Sequence, residues 1–187
     1  MKTKISTKTL TLAAILTALV VILQLVSKLS SAFLPVTITL TLIPVVIGAA
    51  KCHPLMGGWL GLVAGLTILL SASAEPFFTI SPLATVITVL VKGAVSGIIS
   101  GYLYKLFEKS NKTVAIFTAA IAAPVVNTGI FFIGCLLFFM EQISMWAGGT
   151  NVALYMFTGL AGVNFLVEFG LNVILAPTVK RLLEIKK

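Results

Sequence analysis

Residues 83–105, LATVITVLVKGAVSGIISGYLYK, decide the fold. The run is apolar from end to end except for Lys92, set about ten residues in, and it closes on Lys105. A hydrocarbon layer about 30 Å thick needs about 20 apolar residues of helix to cross it, so this stretch reads as a transmembrane helix. Its lone charge would then sit near mid-membrane. Five more stretches qualify outward from it, at about 9–27, 36–50, 55–74, 113–139 and 152–179. The second is short and carries Pro44, which predicts a tilted, broken or partly re-entrant helix. The expected architecture is an all-α integral membrane protein: one domain over 1–187, folded as a six-transmembrane-helix bundle.

Composition agrees. The 187-residue chain is 59% hydrophobic and 10% charged, with mean hydropathy +1.15. A soluble domain carries about 25% charged residues, and this chain has too few to cover its surface. There is no Asp, one His (His53) and five Glu. Aspartyl intramembrane proteases, Mg²⁺-dependent lipid transferases and zinc hydrolases all need carboxylate or His clusters. The chain cannot assemble one, so neither an enzyme nor a metal or organic cofactor is expected. No G-x-x-x-x-G-K-[ST] occurs, so any ATP hydrolysis must come from another subunit. Cys52 and Cys135 read as free thiols.

The net charge of +8 reflects topology rather than nucleic-acid binding. Basic residues cluster at Lys2, Lys4 and Lys8, at Lys51, at Lys105, Lys109 and Lys112, and at Lys180, Arg181, Lys186 and Lys187. The alternate loops, about 28–35, 75–82 and 140–151, hold only Lys28 against Glu75 and Glu141. The positive-inside rule then places both termini in the cytoplasm. The basic start and apolar run ending at Ser30-Ser31-Ala32 could also be read as a secretory signal, but the run is longer than an ordinary signal core and is taken as the first span. Pro and aromatic residues in the outer loops predict that these loops fold over something; Trp146 is expected to anchor at the membrane interface.

Two ladders, Gly57/Gly61/Gly65 and Gly93/Gly97/Gly101, repeat every four residues and open flat grooves for a neighbouring backbone. Ala14 and Ala18 form a similar small-residue face on the first span. Polar residues inside spans are costly unless paired or wetted, so they must face the bundle interior. Asn164, Glu168 and Asn172 share one helix face, Lys92, Ser96 and Ser100 share another, and Asn127 follows Pro124 in the fifth span. Lys92 and Glu168 are either a buried ion pair that fixes packing or contacts to a charged or zwitterionic solute. Thr37 and Thr41 share a face; their hydroxyls either bond back to the helix or line a cavity. Candidate solute contacts are Thr37, Thr41, Phe77, Phe78, Lys92, Asn127, Tyr155, Asn164 and Glu168.

The order and spacing of these pieces resemble the substrate-binding S components of energy-coupling factor (ECF) vitamin transporters. The carrying residues are Leu12–Ala18, Thr39–Ala49 through Leu42-Ile43-Pro44-Val45, and Gly65-Leu66-Thr67. They continue with Ser81-Pro82-Leu83 leading to Lys92-Gly93, Asn127-Thr128-Gly129, and the helix of Asn164 and Glu168. The resemblance implies a six-helix subunit in a prokaryotic plasma membrane, in contact with lipid, that binds one vitamin or precursor near the outer face. It also implies docking through Ala14 and Ala18 on a transmembrane coupling subunit driven by two ATPases, with Phe77 and Phe78 in a lid. Residues 42–48 and 81–93 look most like the pantothenate and pyridoxine or hydroxymethylpyrimidine branch, pantothenate first. In that branch an Arg often stands where Lys92 stands and a His where Leu42 stands; Lys92 keeps the charge without the planar fork. The main rival is a self-sufficient ion- or proton-coupled carrier, which would have an inverted internal repeat; the first three and last three spans show no convincing match. A small membrane enzyme or assembly factor is the other alternative, and it lacks acid–base equipment.

Overall fold

The computed structural model describes residues 7–33, 41–71 and 73–184, and the elements among them are helical. In chain order these are α1 (Thr7–Phe33), α2 (Leu42–Lys51), α3 (Pro54–Leu69), α4 (Glu75–Ile80), α5 (Pro82–Phe107), α6 (Lys112–Phe138), α7 (Met140–Trp146) and α8 (Val152–Tyr155). A π-helical turn, Met156–Gly162, then joins α8 to α9 (Val163–Glu184). The boundaries follow local chemistry. Pro54 and Pro82 occupy first turns, where a missing N–H is harmless. His53, Ser81, Asn111 and Asn151 cap their helices by accepting from backbone N–H groups, Asn111 Oδ1 from Thr113 and Val114 at 2.9 and 3.2 Å. The only histidine is thus a helix cap.

Among the described residues four segments are long and apolar enough to span a membrane: Thr7–Lys28, Pro82–Phe107, Lys112–Phe138 and Val152–Leu183. The second and third expected spans come out short. Helix α2 has 10 residues and α3 has 16, about 15 and 24 Å at 1.5 Å per residue, less than a full crossing. The apolar run over 55–74 overstated α3 because hydropathy does not register its stop: Ser71 Oγ donates to the Ile68 carbonyl at 2.6 Å and lies 2.7 Å from Ser73 Oγ, turning the chain. Residues 36–40 of the expected second span lie outside the described residues.

Large apolar side chains such as Ile15, Ile22, Leu66, Leu137 and Ile174 face outward, while the interior is rich in alanine. That inversion suits a lipid surround, where small residues permit close helix contact. At one end α2, α5, α6 and α9 meet around Val46, Ala50, Tyr104, Ile116 and Val179. Lys51 Nζ there donates to the Leu183 carbonyl at 3.0 Å, and Lys105 pairs with Glu108 at 3.2 Å. Leu16, Val20, Val45 and Leu60 join α1, α2 and α3.

The two glycine ladders face each other. A Cβ added at Gly61 would run into the Gly93 carbonyl, one at Gly93 into that of Gly61, and one at Gly97 into that of Gly57. Helices α3 and α5 therefore cross backbone to backbone, and Lys92 is held one residue from the tightest point.

The chain between α3 and α5 and that between α6 and α8 each carry a short helix, α4 and α7. Phe77 of α4 lies edge-on to Phe131, Phe139 and Trp146 at 5.7, 5.2 and 5.7 Å between centroids. Trp146, expected as an interfacial anchor, packs partly buried in this plug with Ile143 and Met156. Its ring finds aromatic edges that α4 brings over from the other loop, a neighbour that sequence separation hides.

Candidate functional site

Between the aromatic plug and the glycine crossing lies a cavity of about 190 Å³. It is larger than the roughly 150 Å³ cavity that admits benzene in an engineered protein, so one small ring with substituents is the right scale. Its wall draws on α1, α2, α3, α4, α5, α6, the π turn and α9. Of the residues singled out from sequence, Thr41, Phe77, Lys92, Asn127, Asn164 and Glu168 meet there. Phe78 and Tyr155 are not among the lining residues; the Tyr155 ring packs over Gly159 and against the plug. Thr37 lies outside the described residues.

Each wall element brings its side chain for a local reason. Lys92 stands on α5 where the ladder fixes the helix, and its Nζ lies 5.1 Å from the centroid of the Phe131 ring on α6. A cation over an aromatic face is stabilised by the ring quadrupole. Glu168 of α9 lines the same cavity. Thr41, 1% exposed, stands at the start of α2. The π turn adds Leu160 and Ala161 to the wall; such extra-residue turns bulge a helix and recur at functional sites.

The polar stripes seen in sequence divide in two. Ser96 and Ser100 are fully buried and donate to their own helix, at 3.0 Å to Gly93 and 2.7 Å to Ser96. Asn172 Nδ2 donates to the Glu168 carbonyl at 2.8 Å. Ser100 and Asn172 line no part of the cavity. These three settle backbone carbonyls, and Ser96 lines the cavity together with Lys92, Asn164 and Glu168.

Sequence reading passed over Gln24 and Thr88, both buried and both on the wall. Gln24 could have been found, because it is an amide inside an apolar helix and the rule applied to Lys92 applies to it. Thr88 could not, since an intramembrane threonine ordinarily bonds back to its own helix, as Thr85 does to Ser81 at 2.8 Å.

The site has hydrogen-bonding groups, one ammonium, one carboxylate and aromatic faces. Among the described residues no group of three or more His, Cys, Asp or Glu could hold a metal ion. A solute could be held here by polar and ring contacts. A family model described as "ECF transporter, substrate-specific component" matches residues 8–180. No curated protein and no solved structure gives a significant match.

Proposed function

The chain belongs to the substrate-specific components of ECF transporters, membrane transport subunits and not enzymes, and from that premise we propose that it captures a B vitamin or vitamin precursor in the cavity around Lys92 for an ATP-driven importer. The observation that carries this is convergence: Thr41, Lys92, Asn127, Asn164 and Glu168, scattered over the sequence, line one cavity of solute size beneath an aromatic plug. By resemblance, pantothenate stands first, followed by pyridoxine or hydroxymethylpyrimidine.

The remaining parts of the proposal concern topology and partners. The fold is read as a six-helix bundle in a prokaryotic plasma membrane with both termini inside, α2 and α3 being its two short members. Clustering of Lys51 with the α9 end, and of Lys105 with Glu108 at the α5 end, supports a basic inner face. Ala14 and Ala18 are proposed to dock on the transmembrane coupling subunit that two ATPases drive. In support, α1 buries Ala13, Leu16 and Val20 and leaves Ala14 and Ala18 exposed on the opposite side.

Melting of the purified chain in detergent against pantothenate, pyridoxine, hydroxymethylpyrimidine and the other B vitamins tests the reading. A ligand at a thousandfold excess over Kd adds about 4 kcal/mol, a shift of several degrees. Uptake by cells that lack the ATPase module would instead favour the self-sufficient carrier. Within the site, Lys92→Ala is expected to weaken solute binding by about 2 kcal/mol, the loss of a charged hydrogen bond, read by calorimetry as about a thirtyfold rise in Kd. An unchanged Kd with a lowered Tm would assign Lys92 to packing alone.

A further inference from the structure

Two residues of the cavity wall each bury a side-chain oxygen that has no hydrogen-bond partner among the described residues: Gln24 Oε1 and Thr88 Oγ1. These residues are 6% and 5% exposed. A buried acceptor or hydroxyl without a partner forfeits its hydration and gains nothing in exchange. The contrast with neighbouring hydroxyls is local and specific. Thr85, Ser96 and Ser100 on the same helix all donate to a carbonyl one turn back, while Thr88 does not. Thr88 is also held from outside: it sits against Gly134 of α6, where an added Cβ would run into its methyl group first and lie 2.6 Å from its hydroxyl oxygen. A glycine on the facing helix thus makes room for the whole threonine side chain, whose hydroxyl has no partner among the described residues.

Taking the binding-subunit reading as given, we infer that Gln24 and Thr88 are solute contacts and that the solute is a flat ring of no net charge bearing N–H or O–H donors. The donor follows from Gln24 Oε1, which can only accept. Neutrality follows from the wall: its ionisable side chains are Lys92 and Glu168, of opposite sign and lining one cavity. A net anion would take the lysine's charge and leave Glu168 opposed to it across a poorly hydrated space, where charges are weakly screened. A neutral or zwitterionic solute disturbs no such balance. Flatness follows from Phe77 and Phe131, whose rings border the cavity and favour edge and offset contacts with another ring. This reverses the order suggested by resemblance. Pyridoxine and hydroxymethylpyrimidine are rings with hydroxyl or amino donors, whereas pantothenate is an acyclic carboxylate.

Calorimetry on the purified full chain in detergent, with these three compounds as probes, tests the inference. One of the two ring compounds is expected to bind at least about tenfold tighter than pantothenate. Gln24→Leu and Thr88→Val should each raise its Kd at least about tenfold, and Thr88→Ser, which restores the hydroxyl, should recover binding to within about threefold. Without solute, Thr88→Val should melt no lower than wild type, because it removes a polar atom that had no partner. Tightest binding of pantothenate overturns the solute class. Full affinity in Thr88→Val with loss in Thr88→Ser overturns the contact, because that pattern belongs to a packed methyl group. If Gln24→Leu fails to fold, the Thr88 pair decides by itself. Binding of none of the three also overturns the solute class; uptake with and without a coexpressed ATPase module then decides separately whether the binding-subunit reading stands.

Discussion

A Gly61→Val chain is expected to lose its fold, or to accumulate at a small fraction of the wild-type level. The added Cβ would occupy the position of the Gly93 carbonyl, and its next neighbours are also backbone, so no flexible side chain can move aside. Helices α3 and α5 would have to separate, and the ladder contacts at Gly57 and Gly97 would open with them. Overpacking an ordinary core costs about 1–3 kcal/mol, and a backbone-to-backbone clash belongs at or above the top of that range. Gly93→Val should behave alike, since its Cβ meets Gly61 in return. Gly129 is the internal control: nothing lies within 4 Å of an added Cβ there. Gly129→Ala should be neutral or stabilise by up to about 1 kcal/mol through helix propensity. Melting of the three variants in detergent checks this. If Gly61→Val falls within about 2 °C of wild type, less than a 1 kcal/mol change would produce, the ladder crossing is wrong. Because Lys92 adjoins Gly93, a partial opening should also show as weakened solute binding.

The second large effect is expected to separate binding from transport. Ala14→Trp combined with Ala18→Trp should cut uptake at least about a hundredfold while leaving Kd of the isolated subunit within about twofold, because a bulky side chain forbids close helix approach. The two alanines are one helical turn apart on an exposed side of α1, and the residues α1 buries, Ala13, Leu16 and Val20, lie on another. Indole rings there would meet lipid or a partner and leave the core of Leu16, Val45 and Leu60 untouched. Vitamin uptake by cells coexpressing the ATPase module, compared with calorimetry on the same variant, gives both readings. Loss of binding with uptake would make this face part of the fold. Unchanged uptake would remove it from the transport path.

Much of the site could be read before the structure because intramembrane polar residues are few and costly. Lys92, Asn127, Asn164 and Glu168 drew notice for that reason, and all four line the cavity. Where the same rule failed, the reason is geometric. Ser100 and Asn172 are as polar and as deeply placed, but each finds a carbonyl of its own helix and lines no part of the cavity, and a sequence does not show which side chain bonds back and which is held away. Helix α3 was overread because Ser71 and Ser73 barely lower the hydropathy of a window while their hydroxyls turn the chain.

The sequence by itself determined the solvent and the family. Hydrophobicity summed over 20-residue windows is a local, additive quantity, and it was enough to put the chain in a membrane. The order of short motifs pointed to the substrate-specific ECF components, whose family model spans residues 8–180. Only the tertiary structure decided which ladder meets which, that Phe77 and Trp146 close one plug from two loops, and that Gln24 and Thr88 of the cavity wall each bury an oxygen without a partner among the described residues. These are questions of partnership between residues far apart in the chain. A hydrogen bond or a backbone contact depends on ångström-scale placement of both members, and no property of either residue alone contains it.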